Sequence, residues 1–480
     1  MPTTPRSPRR GRDALPDAIA YLRRYEEAID DWAAFEEALM RPLPTCLWAN
    51  PARIGTAELA ELLAEEGLDS RPLPGLSGGL RLGEGFRPGR RWWFVAGLAH
   101  VQEAASQVPP HLMDLRPGQR VLDLCAAPGG KTAQIAFALG NQGTLLANDF
   151  STDRIKALQG NLDRLGLVNV TTCCRDATGW PLEGGRFDRI LLDAPCSSDG
   201  TLRRNPELVG RLSPELSARM AVRQRAMLRR AAQCCRGGGR ILYSTCTLAP
   251  EENELVVRDV LRDWDGRLRL LPVSLPRFPT SPGLTRWRGE HLGEGLANCV
   301  RIWPQHNDTA GFFMAVLEKE GDRRGAPDAA PVRLIREPDS PWIEGLSRHY
   351  GLPEGVWRGL ATHRQTRRGL HLIAADHVPP AVPDRQGSGL FFLRTNVRRP
   401  KLTTAGALFL GPFATRQRVA LTRGQRDSYL ARGELVPSPS QTAEARPGQV
   451  LVTYRGFTLG VAVYHRSGTL ESLFPRRWSG

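Results

Sequence analysis

Two cysteines stand just past the ends of two apolar runs. Ile190-Leu191-Leu192-Asp193 leads into Ala194-Pro195-Cys196-Ser197-Ser198-Asp199-Gly200, and Ile241-Leu242-Tyr243 leads into Ser244-Thr245-Cys246-Thr247. A lone cysteine reads as a small buried hydrophobe. Two of them at matching positions, one beside the carboxylate Asp193, point to thiolate chemistry. A third segment, Val121-Leu122-Asp123-Leu124, runs into Cys125-Ala126-Ala127-Pro128-Gly129-Gly130-Lys131-Thr132. Small residues there let a ligand approach the backbone, and the helix that follows offers free N–H groups. A phosphate-cradling loop needs Gly where Cys125 stands, and the dinucleotide pattern G-x-G-x-x-G is absent. The remaining reading is the nucleoside pocket of a methyl-transfer enzyme.

Asp149 follows Gly130 by 19 residues, at the end of the next strand, where a carboxylate can accept both ribose hydroxyls. Asp176, beyond the third strand, is placed to reach an adenine edge. Only four residues are lysine (Lys131, Lys156, Lys319, Lys401), so Lys131 in the loop is informative. Its slim ammonium enters a pocket that a guanidinium would crowd. A thiolate beside a methyl donor suits methylation at carbon 5 of a pyrimidine. That carbon is a poor nucleophile until a thiolate adds to carbon 6, and protonation at N3, with Asp193 as donor or partner, helps the addition. Either thiol could add, since spacing does not rank them.

These residues need a framework of strands and helices. From Leu115 the pattern is strand, glycine turn, helix, repeated. Strands are predicted over Arg120 to Leu124, Thr144 to Asp149, Asn169 to Cys173, Phe187 to Asp193 and Gly239 to Thr245. Helices are predicted over Lys131 to Leu139, Asp153 to Leu165, Pro214 to Cys234 and Glu251 to Asp263. That alternation makes an α/β fold with a mainly parallel sheet, completed at its far edge by Cys299 to Trp303 and Gly311 to Leu317. Before it, helical spacing covers Ala14 to Met40, then come a strand at Thr45 to Trp48, a helix at Thr56 to Glu66 and an extended Arg91 to Val95. After it, short strands are expected at Leu390 to Leu393, Ala407 to Leu410, Gln449 to Tyr454 and Leu459 to Tyr464. The chain therefore divides into a disordered basic arm (1–13), an N-terminal α+β module (14–110), the catalytic domain (111–320), a linker (321–341) and a β-rich C-terminal domain (342–480).

The 480 residues carry 65 basic and 50 acidic side chains, a net charge of +15, which favours a polyanionic partner without choosing RNA or DNA. With 41% hydrophobic and 24% charged residues the chain folds and is not mainly disordered. Nine cysteines without an export signal suggest reduced thiols, and without a C-x-x-C pair no structural metal is expected. No apolar run approaches the roughly 20 residues of a membrane span. A cytoplasmic monomer is expected.

Asp123 to Thr132 (D-L-C-A-A-P-G-G-K-T), Asp193 to Ser197 (D-A-P-C-S) and Tyr243 to Glu254, ending P-E-E-N-E, resemble the Sun family of RNA cytosine carbon-5 methyltransferases. The resemblance covers about Leu43 to Leu317. It implies a class I S-adenosylmethionine-dependent fold preceded by a small RNA-binding module. It implies Cys246 as the nucleophile and Cys196 as the thiol assisting product release, with Asp193 and Lys131 beside them. The cofactor contacts it implies are Cys125, Ala126, Ala127, Pro128, Gly129, Gly130, Lys131, Asp149, Arg154, Asp176 and Asp193. The usual D-A-P-C-S-G-E/D-G reads here with Ser198 in place of Gly, which is expected to narrow the loop around the target nucleotide. Gly200 to Asn205 resembles the tRNA-modifying branch, whereas Val450 to Gly460 with Phe474-Pro475-Arg476-Arg477 resembles the PUA-like, RNA-binding end of rRNA-modifying members. Ribosomal RNA is the expected substrate, with tRNA the alternative. A DNA cytosine methyltransferase, with the nucleophile in the P-C motif, and a noncatalytic RNA-binding assembly factor are the competing readings.

Overall fold

The computed structural model describes residues 14–83, 86, 89, 91–184, 186–321, 341–397 and 400–476. The expected arm at 1–13 and all but the ends of the linker at 321–341 lie outside the described residues. Five apolar runs form β1 (Arg120–Asp123), β2 (Thr144–Asp149), β3 (Val170–Cys174), β4 (Phe187–Asp193) and β5 (Cys235–Thr245). They lie in the order β3-β2-β1-β4-β5, all parallel.

Successive side chains of a strand face opposite ways, and both faces of this sheet are apolar. Val121, Leu145, Leu191 and Leu242 pack with Ile135, Leu158 and Leu162 of the helices Gly130–Ala138 and Thr152–Leu165. Leu122, Leu146, Ile190 and Ile241 pack with Leu228, Val256 and Val260 of the helices Pro214–Cys234 and Glu254–Trp264. Strand order reverses between β1 and β4, the switch point at which open α/β sheets hold ligands.

Beyond β5 the sheet turns antiparallel through Phe312–Lys319 and Val300–Ile302, the far edge the sequence predicts, and then through Ser281–Pro282, which it does not. Beyond β3 the other margin is covered by Arg385–Ser388, a strand from the C-terminal part of the chain. That pairing satisfies an edge that would otherwise expose unpaired backbone groups.

A four-stranded antiparallel sheet (Ser70–Pro72, Gly79–Leu82, Cys46–Ala49, Ala99–Val101) precedes the parallel one. It shares an apolar core with the C-terminal strands Gly448–Tyr454 and Phe457–Tyr464. At that seam Trp92 meets Tyr454 edge-on at 4.9 Å and Arg426 pairs with Glu66.

Three sequence expectations need correction. Residues 14–40 do not form one helix. Leu15–Leu22 passes into a 3-10 turn, Arg23–Ala28, and the chain extends at Ile29 before Trp32–Met40. Asp31 restarts the helix there by accepting the Ala34 N–H. Its apolar side, Tyr25 and Phe35 included, packs on the core of the parallel sheet. The aromatic run expected to extend over Arg91 to Val95 is instead one helical turn, Trp92–Val95. A strand would send adjacent Trp92 and Trp93 to opposite faces, whereas the turn buries both. Ala407 to Leu410 likewise lies in a helix, Thr404–Leu410, whose first turn Thr403 caps by accepting the Gly406 N–H. Among the described residues no helix is long and apolar enough to cross a membrane, and no group of three His, Cys, Asp or Glu residues could hold a metal ion.

Candidate active site

The carboxyl ends of β1, β2, β4 and β5 converge on a cleft of about 300 Å³ lined by Cys125, Ala127, Asp149, Phe150, Arg154, Asp193, Cys196, Ser198, Arg223 and Cys246. Its floor is the loop after β1. Gly129 has φ +109°, and a Cβ there would stand 2.7 Å from Leu158 Cδ1. Glycine alone lets the loop turn this tightly into the helix. Beneath it Thr132 donates to Asp123 Oδ2 at 2.7 Å, and burial pushes the Asp123 carboxyl up to about 7.

One end of the cleft suits a nucleoside. Asp149 holds the loop by accepting the Ala127 N–H and pairs with Arg154 at 3.2 Å. Arg154 in turn donates to the Ala127 carbonyl. The next residue, Phe150, is 56% exposed, an aromatic face without a packing role, with the Arg223 guanidinium 5.6 Å from its centre. A carboxylate for ribose hydroxyls, an open aromatic face and a glycine loop fit the adenosine part of S-adenosylmethionine. Asp176 does not line the cleft. Its carboxylate accepts from Thr178 and from Arg223, contacts that hold it below the usual range, while its neighbours Arg175 and Ala177 line the wall. Ala126 and Pro128 lie in the loop itself, and Gly130 opens the helix that follows.

The other end carries the reacting groups. Lys131 Nζ donates to Asp193 Oδ2 at 2.8 Å and to Ser106 Oγ at 2.6 Å, and lies 5.3 Å from the centre of the Phe312 ring. Asp193 Oδ1 accepts from Ser244 Oγ at 2.8 Å. Cys196 and Cys246 approach to 3.4 Å between sulfurs, with Ser198 Oγ 3.5 Å from the Cys246 sulfur. Three thiols therefore face one cleft, and their surroundings separate them. Burial and the carboxylates of Asp123, Asp193 and Asp149 push the Cys125 thiol well up. The contact with Cys246 pushes Cys196 up, assisted by burial and the Glu252 charge. Cys246, in contact with Cys196 and donating its S–H to Ser198 Oγ, is drawn below its ordinary value chiefly by the Cys196 contact.

Several contributors were not legible in the sequence. Asp199 is fully buried and accepts from Tyr25 Oη at 2.6 Å, Thr247 Oγ1 at 2.8 Å and the Leu248 N–H at 2.6 Å, tying both cysteine loops to the N-terminal segment. Glu252 Oε2 accepts from the Ser197 N–H and Gln224 Nε2, and Ser197 Oγ meets Thr247 Oγ1 at 2.8 Å. Gly200 leaves room for close approach, since a Cβ there would come 2.7 Å from the Cys246 carbonyl oxygen. The P-E-E-N-E run holds the only sequence hint of this clamp. Ser106 and Tyr25 carried none, because their partners are distant in the chain.

A family model described as 16S rRNA methyltransferase RsmB/F matches residues 110–318. Ribosomal RNA small subunit methyltransferase F of Klebsiella pneumoniae (strain 342) is 31% identical over 480 residues, spanning 95% of each chain. The relative of the same name in Escherichia coli O9:H4 is 36% identical over 316 residues, 64% of this chain and 63% of that one. Among solved structures, a methyltransferase homolog protein from Pyrococcus horikoshii is 32% identical with a TM-score of 0.56, covering 65% of this chain and 100% of that one. NSun6 from Pyrococcus horikoshii, solved with SFG, is 25% identical with a TM-score of 0.54, covering 64% of this chain and 98% of that one. With a class I sheet, a nucleoside cleft at its switch point and relatedness over nearly its full length, this chain belongs to the RsmB/F family of 16S rRNA methyltransferases and is an S-adenosylmethionine-dependent enzyme.

Proposed function

We propose that the chain methylates carbon 5 of a cytosine in small-subunit ribosomal RNA through a covalent bond between Cys246 and carbon 6 of the base. The observation that carries this reading is the pair of thiols 3.4 Å apart beside the Asp193–Lys131 ion pair at the mouth of the nucleoside cleft. The names of the relatives support ribosomal RNA over tRNA.

S-adenosylmethionine supplies an electrophilic methyl group when bound. Asp149 would accept from its ribose and Phe150 would offer a face to its purine, with Arg154 and the loop Cys125 to Lys131 completing that end. The target cytosine leaves its stack to enter the other end. Cys246 adds as the thiolate to carbon 6, forming the C–S bond and making carbon 5 enamine-like. Asp193, steadied by Lys131 and Ser244, faces the N3 edge, where a proton stabilises the adduct. Once carbon 5 carries the methyl group that the bound donor would supply, a base removes the carbon 5 proton, its electron pair re-forms the ring double bond, and the C–S bond breaks with its pair returning to the Cys246 sulfur. Cys196 assists that release. Residues 14–110 and the PUA-like 342–480 hold the RNA around the catalytic 111–320, and the protein works in the cytoplasm as a monomer.

Tritiated methyl transfer to total RNA, followed by bisulfite mapping, tests the assignment. Label in 16S rRNA that maps to one cytosine and disappears in Cys246→Ala is expected. Label confined to tRNA or to DNA, or none at all, would replace it with the corresponding alternative.

A further inference from the structure

Ser198 stands between the two cysteines at a backbone position suited to glycine. Its φ is 65° and its ψ 23°, in the left-handed region where a Cβ is disfavoured. Glycine would adopt this turn without strain, but it would have no hydroxyl. The Ser198 hydroxyl oxygen lies 3.5 Å from Cys246 Sγ, 3.7 Å from Cys196 Sγ and 3.4 Å from the Cys196 carbonyl oxygen.

A hydroxyl can accept from a thiol and, turned about its Cβ–Oγ bond, donate to a thiolate. With Cys246 protonated, its S–H donates to Ser198 Oγ while the hydroxyl proton points at the Cys196 carbonyl. With Cys246 ionised, that proton turns to the sulfur.

The charges around Cys246 make this donor matter. Lys131 favours the thiolate and Asp193 opposes it, and the two are paired with each other at 2.8 Å. Glu252 lies behind Cys196 and opposes negative charge there. On the apolar side Cys246 packs against the cluster containing Cys46 and Phe312, and burial keeps the Cys46 thiol up at about 12. Near Cys46, Glu103 is already engaged by the Ser106 and Ala310 N–H groups. The sulfur is thus offered no free cation by these groups, and its charge is carried by hydrogen bonds from Cys196 and Ser198.

We propose that Ser198 is a positioning residue for the nucleophile: its hydroxyl holds Cys246 as a thiolate and aims it beside Cys196. The role in catalysis rests on Cys246 being the nucleophile, whereas the effect on the thiol does not.

The test is the pH profile of Cys246 alkylation by iodoacetamide, resolved by mass spectrometry in the full chain without RNA, for wild type, Ser198→Ala and Ser198→Gly. Both variants should move the Cys246 midpoint up by about one unit, leaving about tenfold less thiolate at neutral pH. Ala keeps the Cβ and the strain, and Gly releases both, so a hydroxyl role predicts the same shift in each. The acid limb of the methyl-transfer pH profile should rise with it. An Ala midpoint equal to wild type, or a shift in Gly alone, overturns the proposal. A fully active Cys246→Ala would remove the nucleophile assignment while leaving the thiol shift standing, so the two failures are distinguishable.

Discussion

Tyr25→Phe is the sharpest probe of how the N-terminal segment supports the two cysteine loops. The ring is fully buried among Tyr21, Trp287 and the Arg24 guanidinium, and Phe fills the same space. Only the hydroxyl is lost, and with it the 2.6 Å bond to Asp199. Asp199 is fully buried, and burial already pushes its carboxyl up, so the lost donor is not replaced by water. A hydrogen bond to a charged group in such a place is worth about 1.5–3 kcal/mol, so about 2 kcal/mol is expected. For a unit of roughly 200 residues that lowers the Tm by about 4–8 °C. Asp199 also holds Thr247 and Leu248, the two residues that follow Cys246, so kcat should fall about tenfold from misplacement of the thiol. Urea unfolding followed by tryptophan fluorescence and single-turnover methyl transfer measure the two effects. The control is Tyr21→Phe, whose hydroxyl accepts from Arg24 in a half-buried setting and should cost less than about 0.5 kcal/mol. A Tyr25→Phe protein matching the control in both assays would refute the clamp.

Asp123→Asn tests the buried carboxyl under the loop. Its folded value near 7 exceeds the ordinary 3.8, so the native state holds a proton that the unfolded chain has lost. The stability this gives is full below about pH 4 and is lost as pH rises through about 7, a total of about 4 kcal/mol. Asn should flatten the pH dependence of the unfolding free energy over that window, and an unchanged slope contradicts the expectation. Lys131→Met leaves Asp193 without its cation and should reduce methyl transfer about a hundredfold while binding of a cofactor analogue falls less than tenfold by calorimetry; equal losses in both would assign Lys131 to binding. Gly129→Ala places a Cβ against Leu158 at a φ of +109° and should cost about 1–3 kcal/mol with weaker analogue binding. Unaltered binding would mean the loop tolerates the bend.

The parallel sheet was legible because buried strands and amphipathic helices alternate in the sequence, and β2 and β4 begin and end where their apolar runs do. The residues at the strand ends were legible for the same reason: once the strands are placed, Asp149, Asp193, Cys196 and Cys246 fall at one edge. What could not be read is set by contacts distant in sequence. Tyr25 and Asp199 are 174 residues apart, and nothing local marks either as a partner. Arg385–Ser388 completes an edge formed some 200 residues earlier, and such pairing leaves no periodic signal. Trp92-Trp93 and Ala407 to Leu410 have strand-like composition, but burial of adjacent side chains and a Thr403 cap make helices of them. The surroundings of the thiols also wait on three dimensions: only the fold brings Cys196 and Cys246 to 3.4 Å of each other and sets Cys125 among the carboxylates of Asp123, Asp193 and Asp149.

The central claim is that the Cys246 sulfur bonds transiently to carbon 6 of the base. Incubating Cys196→Ala with 16S rRNA and S-adenosylmethionine, then denaturing and separating the mixture, reads this directly. The account predicts a protein–RNA species that survives denaturation, maps to Cys246 by mass spectrometry and vanishes in Cys196→Ala/Cys246→Ala. A stable adduct in the double variant, or one formed by Cys246→Ala alone, would contradict it.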